Sequence, residues 1–152
     1  MKRTRIKAKE LNKKIAHFEI EFSKKDAVEL LEDKEKNLEI FNINNEPSFF
    51  YDNGNILPTL RLLQTKPLLK VVVVDMGAIK FMIGGADVMR PGITKIDESI
   101  KKGEYVMVVD ENNHKPLLVG LCLFSGEEMK QLNSGKVIKN IHFIGDELWD
   151  MS

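Results

Sequence analysis

The first third of the chain shows three short hydrophobic patterns. Ile6–Ile15 spaces its large apolar residues irregularly but at roughly helical intervals, which predicts a short helix. His17–Phe22 alternates apolar and polar residues, the pattern of a half-buried strand. Ser23 precedes Asp26 by three residues, a weak form of the capping box, and this pair predicts a second helix that runs to Asp33.

The next patterns predict two strands and then a boundary between two units. Leu38–Ile43 and Ser48–Tyr51 are typical of strands, and the Asn-rich segment between them favours a hairpin turn. Pro58 is placed where a helix can begin, because the missing N–H of proline is not needed there. Pro67 then interrupts the pattern. We therefore predict one unit over residues 1–68 and a second over residues 69–152.

The second unit is rich in short strands. Val71–Val74 is a run of four β-branched residues, which favours a buried strand. A short amphipathic helical turn, the pair Gly84-Gly85 and the turn Pro91-Gly92 follow it. Further strands are predicted at Glu104–Asp110, Leu117–Phe124 and Lys136–Ile144, with a helix Gly126–Leu132 that Ser125 and Glu128 cap. The pattern predicts a small, closed β-barrel-like domain in an α+β protein.

The distribution of charge along the chain says more about possible partners than the overall composition does. Lys and Arg balance Asp and Glu, so the formal net charge of the 152 residues is zero. The first fourteen residues nevertheless hold seven basic side chains against Glu10 alone. This basic end is open to two interpretations, a solvated tail or an electrostatic contact with ribosomal or transfer RNA. The single cysteine, Cys122, and the lack of an 18-residue apolar run predict a cytoplasmic protein without a membrane segment.

The sequence lacks the motifs of nucleotide-binding and metal-dependent enzymes. GxGxxG and GxxxxGK[ST] are both missing, so nucleotide binding of those kinds is not indicated. His17, His114 and His142 are far apart in sequence, and Cys122 has no cysteine neighbour, so that no metal-ligand spacing emerges. We predict a protein that is not an enzyme and that needs neither a cofactor nor a metal.

Three short sequence motifs in the second unit resemble the PUA domain, an RNA-binding module named after pseudouridine synthases and archaeosine transglycosylases. The motifs are Asp75-Met76-Gly77-Ala78, Gly85-Ala86-Asp87-Val88-Met89 and Arg90-Pro91-Gly92-Ile93. Leu57–Leu63, Asn140–Phe143 and Leu148-Trp149 extend the resemblance to the malignant T-cell-amplified sequence family, and the chain is also similar to the N-terminal region of eukaryotic initiation factor 2D. The resemblance implies a small N-terminal α/β pre-PUA domain packed on a C-terminal PUA pseudo-barrel.

The same resemblance implies a function in translation and a set of RNA-binding residues. It predicts contact with the small ribosomal subunit or the acceptor end of tRNA, during initiation or recycling. The pair Gly84-Gly85 should expose backbone N–H groups to phosphate, while Lys80 and Arg90 add positive charge. For His142 the sequence leaves two positions open, facing solvent or inside the barrel. The predicted RNA-binding residues are Lys80, Gly84, Gly85, Ala86, Arg90, Lys136, Lys139 and His142.

Two other functions remain open at this stage. The chain could be an RNA-targeting specificity subunit for a modifying enzyme that acts in trans, because PUA domains are often attached to such enzymes. It could also be a protein-interaction adaptor that does not bind RNA, an option that the zero net charge keeps open. The relatives that the resemblance implies work with density-regulated protein or as part of initiation factor 2D, so a separate translation-factor chain is a further expected partner.

Overall fold

The computed structural model describes residues 1–151 and contains two β-sheets with five short α-helices. The first part consists of β1 Lys2–Ile6, α1 Ala8–Lys14, β2 Val28–Asp33, β3 Leu38–Ile43, β4 Glu46–Asp52, β5 Asn55–Pro58 and α2 Leu60–Leu63. The second part consists of β6 Lys70–Val74, α3 Ile79–Met82, β7 Val88–Met89, β8 Ile93–Ile96, β9 Tyr105–Asp110, β10 Pro116–Cys122, α4 Gly126–Gln131, β11 Lys136–Phe143 and α5 Glu147–Asp150.

The first sheet is an antiparallel meander in the order β1-β2-β3-β4-β5. Helix α1 packs on one face of it, where Leu11 and Ile15 are fully buried against Phe41 and Phe49. The helix predicted within 6–15 is confirmed, but the basic residues before it form an edge strand rather than a tail. Hydrogen bonding of β1 to β2 places these cations on a fixed surface.

The helix predicted from Ser23 to Asp33 is wrong. The capping signal does act locally, because the N–H of Ser23 donates to Asp26 Oδ2 over 2.9 Å. It closes only a turn, and Val28–Asp33 then forms β2 between β1 and β3. Pairing on both edges supplies backbone hydrogen bonds and buries Val28 and Leu31, which outweighs the weak helical preference.

The strand predicted at His17–Phe22 is also wrong. Ala16–Phe18 forms a single 3₁₀ turn, and Glu19 has a left-handed φ of 60° that prevents an extended strand. The alternation has another cause, because Phe18 and Phe22 both pack beside Phe49, with ring centroids 6.0 and 6.3 Å away. An irregular segment here covers the core as a strand would.

The second sheet is mixed and curls into a half-barrel in the order β7-β11-β10-β9-β6-β8. Among the strands of residues 1–151 only β6 and β9 run parallel to each other. Val72, Val73 and Val74 of β6 are buried as predicted, whereas Val71 is partly exposed. The capping box of α4 is confirmed, since the N–H of Glu128 donates to Ser125 Oγ and the N–H of Ser125 to Glu128 Oε1. The predicted α+β fold class is confirmed.

The two sheets share one buried apolar cluster. It contains Leu31, Phe50 and Leu60 from the first part of the chain, with Val109 and Leu148 from the second. Because apolar surface from both parts leaves water only when they are together, the two sheets stabilise each other. No helix within residues 1–151 has the length and apolar character needed to cross a bilayer.

Short segments at the border of the sheets differ from the expectation. Pro58 ends β5 instead of beginning a helix, and α2 begins after Thr59, whose Oγ1 accepts from the N–H of Leu62 over 3.2 Å. Arg61 lies over the ring of Trp149, with Cζ 3.6 Å from the centroid. Residue 68 lies between α2 and β6, and we keep the division of the chain there as a proposal.

Candidate functional site

A groove of about 550 Å³ lies between the segment that contains α3 and the strand β7. Its walls are mostly apolar, and charged side chains stand at its edges. The groove is lined by Asp75, Gly77, Ala78, Phe81, Met82, Ala86, Asp87, Val88, Met89, Pro91, Gly92 and Lys136. The groove is therefore formed mainly by the segment that contains the PUA-like sequence motifs.

Large apolar side chains are exposed around this groove. Phe81 is 60% exposed and Met89 51%, and Met76 and Ile83 are also exposed. Within residues 1–151 the one other large apolar side chain with such exposure is Met1. A concentration of exposed apolar groups on one surface marks a binding site more often than a chance feature. Phe81 in particular presents a ring face that an unpaired base could cover.

The glycine pair closes the helix α3 and forms no anion-binding loop. Gly85 has a left-handed φ of +93°, and its N–H donates to the carbonyl of Met82 over 3.0 Å. The N–H of Ala86 donates to the carbonyl of Phe81, also over 3.0 Å, so that the turn is a Schellman motif. The N–H of Gly84 is paired with Phe81 as well. The expectation that Gly84-Gly85 offers free N–H groups to phosphate is therefore wrong.

Asn140 holds the glycine turn, and the sequence reasoning missed this role. Its Nδ2 donates to the carbonyls of Met82 and Ala86, over 3.1 and 3.0 Å. Its backbone N–H donates to Asp87 Oδ1 over 2.8 Å. Both ends of the turn are thus tied to β11. Asn140 belongs to Asn140–Phe143, one of the motifs on which the family resemblance rests, so the sequence did single out this residue. Its hydrogen bonds could not be predicted from residue spacing.

The cations near the groove differ in how free they are. Lys136 forms an ion pair with Asp87 over 3.4 Å, which offsets part of its charge. Lys80 and Lys139 are exposed and form no ion pair with any residue of the described range 1–151. Lys80 Nζ lies 5.1 Å from the ring centroid of Phe81. Lys80 and Lys139 are therefore the cations most available to an anionic ligand.

Arg90 is a structural residue rather than a free cation. Its Nε donates to the carbonyl of Met129 at the end of α4 over 2.6 Å, and one terminal nitrogen donates to the carbonyl of Ile93 over 3.2 Å. The side chain is half-buried. Its guanidinium therefore fastens α4 to the β7–β8 connection, and its removal would also alter the fold.

His142 lies inside the protein, so its predicted contact with RNA is wrong. The side chain is 1% exposed, and Nε2 accepts a hydrogen bond from the N–H of Leu60 over 3.1 Å. Nδ1 lies 2.8 Å from Asp146 Oδ2. Because Nε2 accepts, Nδ1 carries the proton and donates to Asp146. The imidazole thus caps α2 from the second sheet, with no atom left for a ligand.

Asp146 completes this buried contact. Burial opposes ionisation of its carboxyl, but hydrogen bonds from His142, Trp149 and Phe143 outweigh that effect and hold its pKa below the usual value. The carboxylate therefore links α5 to β11 and to the imidazole that caps α2. The contact is a structural connection between the two sheets.

Residues with metal-binding or nucleophilic chemistry do not gather at the groove. The described part of the chain, residues 1–151, holds no group of three or more His, Cys, Asp or Glu side chains that could bind a metal ion. Cys122 is buried, and burial raises the pKa of its thiol to about 12, so that it stays protonated near neutral pH. The groove has the chemistry of a binding surface.

The family models divide the chain as its two sheets do. The PUA domain matches residues 70–144, and a domain of unknown function, DUF1947, matches residues 4–66. Translation machinery-associated protein 20 of Schizosaccharomyces pombe is 39% identical over 76% of this chain and 67% of its own length. Malignant T-cell-amplified sequence 1 of Danio rerio is 37% identical over 84% of this chain and 73% of its own length.

The chain belongs to the family of these two proteins. An uncharacterized protein of Methanocaldococcus jannaschii is also similar, with 50% identity over 74% of this chain and 70% of that protein. Among solved structures, a hypothetical protein from Pyrococcus horikoshii superposes with a TM-score of 0.82, at 34% identity and over 98% of both chains. The resemblance to the malignant T-cell-amplified sequence family is confirmed, and with it the pre-PUA and PUA architecture.

Proposed function

We propose that this protein binds RNA in translation, through the groove beside α3 and its lysine-bearing rim. The proposed target is an unpaired segment of RNA, at the acceptor end of tRNA or on the small ribosomal subunit, during initiation or recycling in the cytoplasm. The observation that carries the proposal is the exposed ring of Phe81 with Lys80 Nζ 5.1 Å from its centroid. The exposed Lys139 lies on β11, the strand that pairs with β7 of the groove. The names of the family members, which refer to the translation machinery, support the cellular setting.

The shape of the groove supports an unpaired strand over a duplex. Apolar walls cannot contact the charged outside of a double helix favourably, whereas a flat base can cover Phe81 and fill the space beside Met89. The glycine turn supports this use because Gly84, Gly85 and Ala86 are exposed and carry almost no side chain. A ribose or base can approach the backbone there, while Lys80 and Lys139 meet phosphates at the rim.

The test compares RNA binding by two matched pairs of substitutions. Lys80→Ala with Lys139→Ala removes the rim charges, and Lys34→Ala with Lys115→Ala removes two exposed lysines elsewhere. Fluorescence anisotropy with tRNA and with a single-stranded oligonucleotide measures affinity across salt concentrations. The rim pair should reduce the salt slope by about 1.4, or 0.7 for each lost contact to a single strand. The Lys34/Lys115 pair should leave the slope unchanged.

Phe81→Ala tests the stacking part of the proposal. A base stacked on an aromatic side chain contributes about 1 to 3 kcal/mol, so the affinity for a single strand should fall by roughly five- to 150-fold. Because Phe81 is exposed, the melting temperature should change little. Wild-type RNA affinity in both the Phe81 and rim variants would contradict the proposal. Absence of RNA binding by the wild type would favour the protein-adaptor function.

The proposed role is non-catalytic. One of the relatives is named as a translation machinery-associated protein, and the apolar groove with its exposed side chains supports binding. A separate translation-factor chain or a modifying enzyme that this protein targets in trans stays an alternative partner. Pull-down with the purified candidate partner chain in the presence of RNA, with and without RNase treatment, distinguishes a contact made through RNA from a direct protein contact, because only the former depends on intact RNA.

A further inference from the structure

A second groove, in the N-terminal part of the chain, is not used by the proposed function. It has a volume of about 1260 Å³ and lies between the end of β1, the helix α1 and the segment 21–26. The charged residues that line it are the cations Arg5, Lys7, Lys9, Lys13 and Lys24 and the acids Glu10, Glu21 and Asp26. We call it the N-terminal groove.

The walls of the N-terminal groove are fixed by the fold. Leu11 is fully buried under α1, which leaves Lys9 and Lys13, one turn apart, on the outward side of that helix. Asn12 ties the opposite wall, because its Nδ2 donates to the carbonyl of Phe22 over 2.9 Å and its Oδ1 accepts from the N–H of Phe22 over 2.8 Å. The groove is therefore preformed.

The N-terminal groove has a net positive charge, because five cations line it against three acids. None of the five cations forms an ion pair with any of the residues 1–151 that the structure describes. Asp26, one of the three acids, is occupied by its own surroundings, since it accepts from Asn44 Nδ2 over 2.9 Å and from the N–H of Ser23 over 2.9 Å. A polyanion would find several lysines whose charge is free to interact with it.

The lining indicates which polyanion fits. Two large apolar side chains, Ile6 and Phe22, line the N-terminal groove, and both are partly buried against the core. The ring of Phe22 packs edge-on against Phe49, so the groove offers an unpaired base no fully exposed stacking platform. An acidic peptide would find only these partly buried side chains for the apolar anchors that protein interfaces usually use. Phosphate groups need only charge and hydrogen-bond donors, which lysine and arginine supply.

We propose that the N-terminal groove binds the phosphate backbone of folded, double-stranded RNA without reading its sequence. This site is separate from the groove beside α3 and uses different chemistry. The two surfaces would bind different parts of one RNA, an unpaired segment on the second sheet and a helical segment on the first.

The test uses a blunt RNA duplex of mixed sequence as the probe and four-lysine variants of the full chain. Lys7, Lys9, Lys13 and Lys24 are changed to Gln in the groove variant, and Lys34, Lys101, Lys102 and Lys115, all exposed, in the control variant. Both variants lose the same charge. The groove variant should lower the salt slope of binding by about 3, at roughly 0.7 to 0.9 for each lost phosphate contact, and the control by less than about 1. Equal slopes in the two variants would overturn the proposal.

Two further measurements protect this interpretation. Changing the same groove lysines to Arg keeps the charge and should preserve duplex binding; loss of binding there would overturn a purely electrostatic contact. A poly-glutamate peptide serves as a second probe, and binding of it as tight as the duplex, lost in the groove variant, would overturn the assignment to RNA. The Lys80/Lys139 variant should still bind the duplex normally, so failure of this proposal is distinguishable from failure of the proposed function.

Discussion

Replacing Gly85 with alanine tests whether the backbone turn beside α3 supports RNA binding. Gly85 has a φ of +93°, a conformation that residues with a Cβ adopt at a cost of about 1 to 2 kcal/mol. Space is not the obstacle, because the added Cβ would lie 3.4 Å from Phe143 Cζ, an ordinary contact distance. We therefore expect Gly85→Ala to lower the free energy of unfolding by about 1 to 2 kcal/mol through backbone strain alone.

Two other glycines provide matched controls. At Gly84 φ is not left-handed, and an added Cβ would lie 3.4 Å from the carbonyl oxygen of Phe81, so Gly84→Ala should change stability by less than about 0.5 kcal/mol. Gly103 has a φ of +84° with nothing within 4 Å of the added Cβ, and so carries the same strain away from the groove beside α3. Gly103→Ala should therefore destabilise the protein as much as Gly85→Ala does.

Urea denaturation and RNA anisotropy together separate the possible results. If the turn shifts to relieve the strain in Gly85→Ala, affinity for a single strand should fall by about 5- to 30-fold, the equivalent of 1 to 2 kcal/mol. Gly103→Ala should bind normally at a temperature where it is folded. A Gly85→Ala protein as stable as Gly84→Ala would refute the strain argument. Equal loss of affinity in Gly85→Ala and Gly103→Ala would trace the effect to general instability.

Four further predictions concern the buried and half-buried contacts. His142→Ala leaves the N–H of Leu60 buried without an acceptor and should cost about 1 to 3 kcal/mol in urea denaturation, so an unchanged midpoint would contradict the capping role. The pKa of Asp146 is lowered from 3.8 in the folded state, so its carboxylate stabilises the protein above that pH and loses this effect as the pH falls through the folded-state pKa. Asp146→Asn should therefore flatten the acid side of a curve of stability against pH. An acid side identical to that of the wild type would contradict this stabilising effect of Asp146. Asn140→Ala should speed amide hydrogen exchange in the glycine turn, and a wild-type exchange rate would show that Asn140 does not hold this turn. Arg90→Ala should lower the melting temperature, and a wild-type melting temperature would show that the Arg90 contacts do not hold the groove.

The second sheet was predictable from sequence because its signals are local and strong. Four consecutive valines, the Ser125–Glu128 capping box and the turn at Pro91 each specify structure within a few residues. The first part failed where local and distant preferences conflict. The turn at Ser23 and Asp26 resembles the start of a helix, but the decisive interaction is pairing of Val28–Asp33 with two strands that are remote in sequence.

The segment predicted to bind RNA contains a groove, but two of the residues predicted to contact RNA make structural contacts instead. The groove lies on the predicted segment, yet Arg90 and His142 turned out to hold the fold together. The identity of an arginine or a histidine does not reveal whether its side chain faces solvent or bonds to a buried backbone group, so sequence alone does not distinguish a binding residue from a structural one. Phe81 was overlooked because an aromatic residue on a short helix is usually buried.

The zero net charge of the chain has a specific consequence for how it can bind RNA. A neutral protein gains little long-range attraction to a polyanion, because at physiological salt exposed charges act over only about 8 Å. Attraction must then come from places where cations are concentrated and unpaired, as in the N-terminal groove, or where apolar contact adds to charge, as beside Phe81. Paired lysines such as Lys136, Lys70 and Lys130 contribute little to either. The two grooves therefore favour an RNA whose shape brings its phosphates into direct contact with these cations. A larger total charge on the RNA alone would add little to binding.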